Sequence, residues 1–400
     1  MAGLGGFAGA HHRALARLEA AGLVHVVGGC DPMFASMQAA VAPLAARQIP
    51  VFPTLEEMLL AVHPDIVTLP VPVPLHAPMH RAVVSSGAAC YLEKPPTLWW
   101  PELGEMIEVD QRSATPTRVG FNFVADPMRH SLKERLLAGE FGELKSITLN
   151  IVWPRDAAYY GRNHWAGRLR TQDHWTLDSP IGNAMAHYIQ NVLYWGGQKL
   201  ESVGTLNSVQ ASLWRIHPIQ SYDTAFVRAE LESGIEIRIA ATHSQQAANH
   251  EIETLHLERA TIVFSSWRTA TITQWEGTVE QVTSQIPDQE AMLAFNLRQF
   301  AESCSGTVHR VAPTLQESRS FVALCALAFV SSAQISGFPV DRARVREGHR
   351  WVEGLDEQLR AFIEAGVWPG ETPRSCKMGD LSKLEATMRS ILDATPHPSP

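Results

Sequence analysis

The sequence predicts a two-domain protein, in which a doubly wound α/β domain precedes a larger α+β domain. Up to about residue 120, short β-rich runs alternate with helical stretches, as in a parallel sheet with helical crossovers. After about residue 125, longer runs of period two follow one another without helices between them, which indicates a large, open, mostly antiparallel sheet. We therefore expect one domain at residues 1–123, a second at 124–370, and a polar, proline-rich and poorly ordered tail at 371–400.

The first domain opens with a glycine-rich turn and then alternates helices with strands. The predicted helices cover Gly9–Ala21, the stretch after the N-cap residue Thr54, and His76–Ser86. The predicted strands are Val24–Val27, Ile49–Phe52, Ile66–Val71, Cys90–Lys94 and Arg118–Phe123.

The second domain begins with a predicted helix over Pro127–Ala138 that ends at Gly139. Its predicted strands are Leu144–Trp153, Ser202–Ser212, Thr224–Leu231, Ile235–Thr242, Glu251–His256 and Ala260–Phe264. The remaining predicted helices are Ile181–Trp195, Gln289–Ser303 and Leu315–Ile335. This domain therefore carries most of the sheet of the protein.

Composition and charge limit the function. The formal net charge of −8 disfavours a nucleic-acid or anionic membrane surface. No apolar run approaches the ~18–20 residues that span a bilayer, and the small-residue N-terminus lacks the features of a signal peptide. Five scattered cysteines without a CxxC pair predict neither a disulfide framework nor a structural zinc site. We therefore expect a cytoplasmic protein without a metal.

The glycine-rich turn has the pattern of a dinucleotide-binding loop. The residues Gly3-Leu4-Gly5-Gly6-Phe7-Ala8 fit GxGxxG/A. In that pattern the first glycine permits a tight turn, the second lets the backbone approach a pyrophosphate, and the third position packs helix against strand. Asp31 follows the next predicted strand, where a carboxylate accepts the ribose hydroxyls of NAD and repels the 2′-phosphate of NADP. The structural alternatives are a small-residue stretch and a turn-forming aspartate before Pro32.

The start of the chain conflicts with the interpretation of this turn as part of a complete dinucleotide-binding domain. Only Met1 and Ala2 precede Gly3, although the first strand of such a domain is central and needs about five or six apolar residues. Without it, the strands at Val24–Val27 and Ile66–Val71 would flank a gap. We therefore expect that Met1 is not the natural start and that an upstream segment encodes the strand; the alternative is a truncated domain that binds dinucleotide poorly.

The order of several motifs resembles the Gfo/Idh/MocA oxidoreductases, a family named for glucose–fructose oxidoreductase and inositol 2-dehydrogenase. The similar segments, over most of the chain, are Gly3–His11, Asp65–His76, Glu93-Lys94-Pro95, Gly120-Phe121-Asn122, Gly139–Glu143 and Ser179–Trp195. The resemblance implies a Rossmann domain and hydride exchange between NAD and a hydroxyl-bearing carbon of a sugar, cyclitol or related polyol. It also implies a homodimer or homotetramer packed through the open sheet.

The resemblance assigns roles to individual residues. It implies cofactor contacts at Pro72, His76, Glu93 and Lys94, beside the glycine turn and Asp31. It also implies Lys94 and His187 as the polar pair at the reacting oxygen. Alcohol oxidation requires removal of a hydroxyl proton, which an imidazole can accept, while an ammonium stabilises the developing alkoxide. The alternatives are a solvated loop lysine and a structural polar stripe on the helix of His187.

Two residues depart from the family pattern. Asn183 stands where the family usually has an aspartate, one helical turn before His187. A carboxylate there would orient the imidazole and favour its charged form, whereas Asn183 orients without charge. Val124 stands near a position where arginine is frequent.

A segment rich in aromatic and hydrogen-bonding residues precedes the His187 helix. Tyr160, Arg162, Asn163 and Trp165 combine flat rings with fixed donors, as a polyhydroxylated ligand requires, and we predict that they bind substrate together with His187. A packing or dimer segment is the alternative. The nearby His164 and His174 lack metal-ligand spacing.

Three functions remain open at the level of the sequence. The first is an NAD-dependent sugar or polyol dehydrogenase. The second is a lyase or glycosidase that retains its NAD and transiently oxidises its substrate. The third is a non-catalytic ligand-binding relative, which Asn183 and the short N-terminus favour.

Overall fold

The computed structural model describes residues 1–172, 174–246, 248–307 and 313–394. These residues form two compact units. The first comprises Met1–Thr97, Pro101–Asp126 and Gln285–Arg319, and the second comprises Leu98–Trp100, Pro127–Ser284 and the residues from Ser320 onward.

The α-helices of the described residues occur in both units. In chain order they are α1 Ala8–Ala20, α2 Gln38–Ala45, α3 Leu55–Val62, α4 His76–Ser85, α5 Trp100–Arg112, α6 Pro127–Leu137, α7 Ala157–Gly161, α8 Ala186–Trp195, α9 Gln289–Cys304, α10 Arg319–Ser332, α11 Leu355–Ala365 and α12 Leu384–Ala394.

The strands of the first unit are short, and those of the second are mostly longer. They are β1 Gly29–Cys30, β2 Val51–Phe52, β3 Ile66–Leu69, β4 Ala89–Leu92, β5 Thr117–Val119, β6 Leu144–Val152, β7 Arg170–Thr171, β8 His174–Trp175, β9 Leu206–Arg215, β10 Thr224–Leu231, β11 Glu236–Thr242, β12 His250–Leu257, β13 Ala260–Ser266, β14 Thr269–Gln274, β15 Val279–Thr283, β16 Ile335–Gly337, β17 Ala343–Arg346, β18 His349–Val352 and β19 Cys376–Lys377.

The first unit has the doubly wound arrangement that the sequence predicts. Strands β3, β4 and β5 pair in parallel, as do β1 and β2. The segment Met1–Gly3 lies between the two groups, because Ala2 N–H donates to Thr68 O (2.9 Å) and Cys30 N–H donates to Met1 O (3.0 Å). The spatial order β2, β1, Met1–Gly3, β3, β4, β5 is the 3-2-1-4-5-6 order of the Rossmann fold.

One predicted strand of this unit is absent. Val24–Val27 has no strand structure, and pairing on this side begins only at Gly29. The physical reason is that Met1 and Ala2 bond to residues from Gly28 onward, and no described residue gives Val24–Val27 a partner strand. The N-cap prediction is confirmed: the Thr54 hydroxyl accepts the Glu57 N–H at 3.2 Å and starts α3.

Helix α9 belongs to the first unit, although the sequence-based boundaries placed it in the second domain. Its apolar side carries Leu293, Leu297 and Phe300, which pack against Ala14 and Leu18 of α1. The chain therefore crosses into the second unit and returns. Such a return leaves no signal in local periodicity, because it depends on which apolar surfaces match in the folded protein.

The second unit contains the large open sheet, so the predicted fold class is confirmed. The strand order is β15-β14-β13-β12-β6-β11-β10-β9-β16, with β19 also on β9. Only the β6–β11 and β9–β16 pairs are parallel. The long strands alternate in burial, as β9 illustrates, because each presents successive side chains to opposite faces of the sheet.

Helices cover this sheet unevenly. One stretch is covered by α11, whose Leu355, Leu359 and Phe362 pack on Phe226 and Ala240 of the central strands. Within this unit the guanidinium of Arg129 on α6 is fully buried, where it pairs with both oxygens of Glu253 on β12 (3.1 and 3.2 Å) and lies over the ring of Phe264. A buried charge is tolerated only when it is paired and hydrogen-bonded in this way.

The expectation of a poorly ordered tail after Pro369 is wrong for residues 376–394. Cys376 and Lys377 pair with β9, and α12 buries Leu384, Met388 and Ile391. The polar composition concealed an amphipathic helix whose three apolar residues recur at helical spacing. The final residues, 395–400, lie outside the described residues.

Membrane insertion through a helix has no support in the described part of the chain, since none of its helices combines the length and apolarity needed to span a bilayer.

The first glycine of the turn is required for steric and conformational reasons, which predicts the effect of replacing it. Gly3 has φ +86°, and a Cβ there would lie 2.9 Å from Val71 Cγ1 and 3.0 Å from Pro70 O. We expect Gly3→Ala to lower the free energy of unfolding by about 2 kcal/mol or more, measured by chemical denaturation.

Two matched variants separate the causes of that loss. Gly6 also has positive φ (+58°) but open space around it, so Gly6→Ala should cost only ~1 kcal/mol. Gly9 lies inside α1 with ordinary contacts, so Gly9→Ala should gain about 0.5–1 kcal/mol. If Gly3→Ala lowers the free energy of unfolding no more than Gly6→Ala does, the result would contradict a close approach of Gly3 to Val71 and Pro70.

Candidate active site

The glycine turn leads directly into the first turn of α1. The N–H groups of Ala8, Gly9 and Ala10 are bonded to carbonyls three residues earlier. Among the described residues, no hydrogen bond uses the N–H groups of Gly5, Gly6 or Phe7. No acidic side chain occupies the first turn of the helix. These open donors and the helix dipole fit the pyrophosphate of a dinucleotide.

Asp31 follows β1 and is tied to the same turn. Its Oδ2 accepts the Leu4 N–H at 3.0 Å, and its Oδ1 accepts the Met33 N–H at 2.9 Å. The carboxylate is only half-buried, so each oxygen keeps acceptor capacity toward solvent. Asp31 therefore fixes the glycine turn and can still accept the hydroxyls of an adenosine ribose, as the sequence predicts for NAD.

The third position of the turn packs as predicted. Ala8 is fully buried at the start of α1, whereas the Phe7 side chain is 57% exposed. The Phe7 ring meets the edge of His11 at 5.7 Å between centroids. A dinucleotide-facing role for Phe7 thus stays a prediction, and its exposure leaves it available for one.

Glu93 is buried, and its contact with the cofactor stays a prediction. Its Oε1 lies 2.8 Å from Nε2 of His11, which is also buried, and its Oε2 accepts the N–H of Lys94. Gly120 leaves room for this carboxylate, since a Cβ there would lie 3.2 Å from it. Glu93 therefore ties α1 to the end of β4 and positions the backbone of Lys94.

His11 is a site residue that sequence reasoning did not select. It stands three residues after Ala8 and so shares the buried face of α1, a signal that the sequence offered. Its partner Glu93, 82 positions away, is set by the fold alone.

His76 is likewise buried, and its contact with the cofactor also stays a prediction. Its Nδ1 lies 2.8 Å from Pro95 O and its Nε2 lies 2.9 Å from Val71 O. Burial lowers the pKa of His76, although both carbonyls favour its charged form. The imidazole thus holds the loop after β3 against the loop after β4. Pro72 lies on the first of these loops and is exposed.

Lys94 comes two residues after the end of β4 and is half-buried. In a doubly wound sheet, ligands bind outside the carboxyl ends of the strands, so this position suits a ligand-facing side chain. Glu93 accepts the backbone N–H of Lys94 itself, and His76 holds the next residue, Pro95.

In the second unit, Asn183 lies on a π-helical turn, Pro180–Ala184, just before α8. Such π-helical turns are rare in proteins overall, but where they occur they are often at functional sites. Asn183 Nδ2 donates to Oδ1 of Asp178 at 2.8 Å, and Oδ2 of the same carboxylate accepts the Gly167 N–H at 2.6 Å. The buried Asp178 therefore supplies a carboxylate beside the residue that the family pattern would make an aspartate.

His187 lies at the second position of α8 and is half-buried, while the residues that follow it are buried. The predicted polar stripe is only partly open: Gln190, Asn191 and Tyr194 are buried within the unit. Of that stripe, Asn183 and His187 are the half-buried members, and their contact with a ligand stays a prediction.

The predicted substrate residues divide into two groups. Tyr160 and Asn163 line a pocket of about 310 Å³, together with Arg168, Gln220 and Arg350. Asn163 Oδ1 also accepts the N–H groups of Trp165 and Ala166, which shapes the turn. The described lining of this pocket does not include Arg162, Trp165 or His187. The exposed Arg162 guanidinium covers the ring of Tyr159, at 3.7 Å from the centroid, and borders that of Trp165.

A buried histidine–aspartate pair adjoins this pocket and was missed from the sequence. His217 lines the pocket, and its Nδ1 lies 2.9 Å from Asp223 Oδ2. Burial would raise the pKa of Asp223, but hydrogen bonds from His217 and from the Ile216 N–H outweigh it and lower that pKa. Nearby His243 is neutral, because burial lowers its pKa to about 3.

Metal-ligating side chains are not grouped in the part of the chain that is described: no three His, Cys, Asp or Glu residues there are placed to hold an ion.

The first unit matches a known protein family. Residues 1–121 match the family described as an oxidoreductase family with an NAD-binding Rossmann fold, named GFO_IDH_MocA. YteT of Bacillus subtilis (strain 168), which is named an oxidoreductase, is 24% identical over 160 residues. That match covers 38% of this chain and 35% of YteT, so the chain matches about a third of this relative's length.

Solved structures share the fold of both units. WlbA from Chromobacterium violaceum, solved with NADH and UDP-GlcNAcA, is 20% identical with a TM-score of 0.68, covering 83% of this chain and 92% of WlbA. A levoglucosan dehydrogenase, solved with NADH and levoglucosan, is 16% identical with a TM-score of 0.68, covering 83% of this chain and 96% of the enzyme. The family matched by the first unit is described as NAD-binding, and the open N–H donors and Asp31 of that unit fit NAD. The N-terminal Rossmann domain is thus similar to the Gfo/Idh/MocA oxidoreductase family over residues 1–121.

Proposed function

We propose that this protein is an NAD-dependent dehydrogenase that oxidises a hydroxyl-bearing carbon of a sugar, cyclitol or related polyol, or catalyses the reverse reduction. The observation that carries the proposal is the buried carboxylate of Asp178, which contacts Asn183 on the segment that leads to His187. The Asp178 carboxylate supplies, beside Asn183, the negative charge that Asn183 itself does not carry. The dinucleotide-binding features of the first unit support the same reaction.

The N–H groups of Gly5, Gly6 and Phe7 are proposed to hold the pyrophosphate of NAD, and Asp31 its adenosine ribose. When bound, NAD supplies the hydride acceptor. His187 accepts the proton of the reacting hydroxyl, and an imidazole suits that step near neutral pH. The ammonium of Lys94 stabilises the alkoxide character that develops on the same oxygen. Glu93 and His76 act as positioning residues for the loop of Lys94.

The pocket of Tyr160 and Asn163 is proposed to bind hydroxyl groups remote from the reacting carbon. Arg168, Gln220 and Arg350 add donors to its lining, and Ile219 adds an apolar wall. The Tyr160 hydroxyl is buried and has no partner among the described residues, so a ligand hydroxyl would satisfy it. The Arg162 guanidinium contributes by packing on the rings of Tyr159 and Trp165. Two of the similar structures, WlbA and the levoglucosan dehydrogenase, were solved with sugar ligands, which supports this substrate class.

Turnover assays test the proposal. A panel of polyols and sugar acids is incubated with NAD, and NADH absorbance is followed. We expect net NADH with at least one of these compounds. Cleavage of a glycoside without net NADH would identify a redox-assisted lyase or glycosidase instead. Saturable sugar and NAD binding without any turnover would identify a non-catalytic relative.

Variants then test the residues. With the substrate so found, Lys94→Ala and His187→Ala should each lower kcat by ~10²–10⁴-fold while leaving the fold intact. His25→Ala, which removes an exposed imidazole of the first unit, is the matched control and should be silent. Turnover within twofold of the parent for either active-site variant would refute the role of that residue.

Asp178 is a positioning residue, and its variant has a distinctive signature. Removing its charge destabilises a protonated base near Asn183, so Asp178→Asn should move the acidic limb of the oxidation rate profile to lower pH by about one unit. Asp288→Asn makes the same chemical change at the exposed N-cap of α9 and should leave the profile unchanged. An unshifted acidic limb in Asp178→Asn would contradict the role.

We also propose a homodimer or homotetramer formed through the part of the sheet that α11 leaves open. Ile252 on β12 pairs with Asn150, two residues from Val152, so it lies on the face that α11 covers elsewhere. It is 42% exposed. We expect sedimentation to show a multiple of 44.1 kDa at micromolar concentration, and Ile252→Arg to weaken the assembly. A 44.1 kDa species alone would contradict this proposal.

A further inference from the structure

The pocket of about 310 Å³ in the second unit has arginines but no acidic residue in its described lining. The two arginines are Arg168 and Arg350, and both are half-buried. Within the described residues, neither guanidinium has an ion pair or a hydrogen bond. Charges that are withdrawn from water are usually paired. In a chain with a formal net charge of −8, two such groups at one pocket leave a place for an anion.

The hairpin of β17 and β18 shows how Arg350 differs from a surface arginine. Arg346, on the same hairpin, is exposed and pairs with Glu347 at 3.7 Å. Arg350 stands opposite Val345 in the register of the hairpin, and both of these residues line the pocket. The hairpin therefore contributes to the pocket an arginine that has no acidic partner in the described part of the chain.

Arg168 is held in place by its own backbone. Its N–H donates to Trp165 O at 3.1 Å, and its carbonyl accepts the Asp178 N–H at 3.0 Å. The carbonyl of the preceding residue, Gly167, accepts the Gln220 N–H at 3.0 Å. The segment of Arg168 is thus tied to the loop of Gln220, which lines the same pocket.

The amide side chains of the lining are left with donors for a ligand. Asn163 Oδ1 accepts the N–H groups of Trp165 and Ala166, and Gln220 Oε1 accepts the Leu169 N–H at 3.3 Å. Since both amide oxygens are engaged within the protein, the two NH₂ groups are what these side chains can offer.

The acceptors of the lining are largely used inside the protein. His217 has Nδ1 at 2.9 Å from Asp223 Oδ2 and Nε2 at 3.2 Å from Arg155 O, so both ring nitrogens already contact acceptors. The lining carbonyls that accept hydrogen bonds within the protein are those of Gly167, Arg168, His217, Ile219, Gln220 and Gly348. A hydroxyl both donates and accepts, whereas the oxygens of a carboxylate or phosphate only accept. The lining therefore suits an oxyanion.

We propose that the substrate bound in this pocket carries an anionic group, a carboxylate or a phosphate, which pairs with Arg168 and Arg350. The inference rests on the proposed function, because it concerns the same substrate. The anion lies remote from the carbon that is oxidised, and Tyr160 and Asn163 meet hydroxyls beside it. A guanidinium forms two parallel hydrogen bonds with either oxyanion. The substrate class narrows to sugar acids and sugar phosphates.

Calorimetric titration of the full 400-residue chain tests the proposal without any turnover. The probes are the uronates of glucose, galactose and mannose, each compared with its uncharged uronamide, which keeps the shape and loses the charge. A second arm compares the 6-phosphates of these hexoses with the free hexoses. We expect at least one anion to bind at least tenfold more tightly than its neutral counterpart. Preference for a uronate identifies a sugar acid, and preference for a 6-phosphate identifies a sugar phosphate.

Variants assign that preference to the two arginines. Arg168→Gln and Arg350→Gln should each weaken binding of the preferred anion at least tenfold and leave binding of its neutral counterpart within twofold. Arg350→Lys keeps the charge without the planar fork and should weaken anion binding less than Arg350→Gln does. Arg346→Gln removes the paired arginine of the same hairpin and is the matched control, which should change neither affinity. An unchanged Tm in each variant shows that its fold is intact.

Equal affinity for the charged and neutral members of every pair would overturn the proposal. So would the absence of measurable binding by all of these anions, or an anion preference that both glutamine variants retain. Because the titration needs no turnover, anion binding by an inactive protein would refute the dehydrogenase and leave this inference standing. NADH formation from neutral polyols with no preference for an anion would do the reverse.

Discussion

The main-chain hydrogen bonds of Met1, Ala2 and Gly3 join the two halves of the Rossmann sheet. Ala2 donates to Thr68 on one side, while Met1 and Gly3 exchange bonds with Cys30 on the other. These contacts fix the spacing between β1 and β3 and set the direction in which the chain enters the glycine turn. The glycine turn then sets where α1 begins and which N–H groups remain without a partner. Asp31 holds this turn by accepting the Leu4 N–H. Nearly every feature expected to hold NAD depends on this one short segment.

A second set of constraints acts within the substrate unit. The Asp178 carboxylate fixes Asn183 and the Gly167 N–H together, so one buried charge organises both the π-helical turn and the aromatic segment. The Asp223 carboxylate does the same for His217 beside the pocket. Each acid is satisfied by several donors, as a buried charge must be. These polar centres, more than the apolar sheet beneath them, hold the groups proposed to meet the substrate.

Local features of the sequence predicted much of this structure. The glycine turn, the Thr54 cap, Asp31 and the large sheet each follow from residue type and spacing over a few positions. The sequence could not show that Glu93 and His76 are buried, since their partners His11, Val71 and Pro95 are fixed by packing. Nor could it show that Asp178 contacts Asn183 or that α9 packs on α1. Val24–Val27 failed to form a strand for a further reason: strand structure needs a partner, and the apolar pattern does not supply one.

We infer that the glycine turn and Asp31 form an NAD-selective site. Titration with NADH and with NADPH, followed by energy transfer from tryptophan to the bound nicotinamide, tests it most directly. We expect saturable NADH binding with a Kd at least tenfold below that of NADPH, because the Asp31 carboxylate accepts ribose hydroxyls and repels a 2′-phosphate. Tighter binding of NADPH, or no saturable binding of NADH, would contradict it.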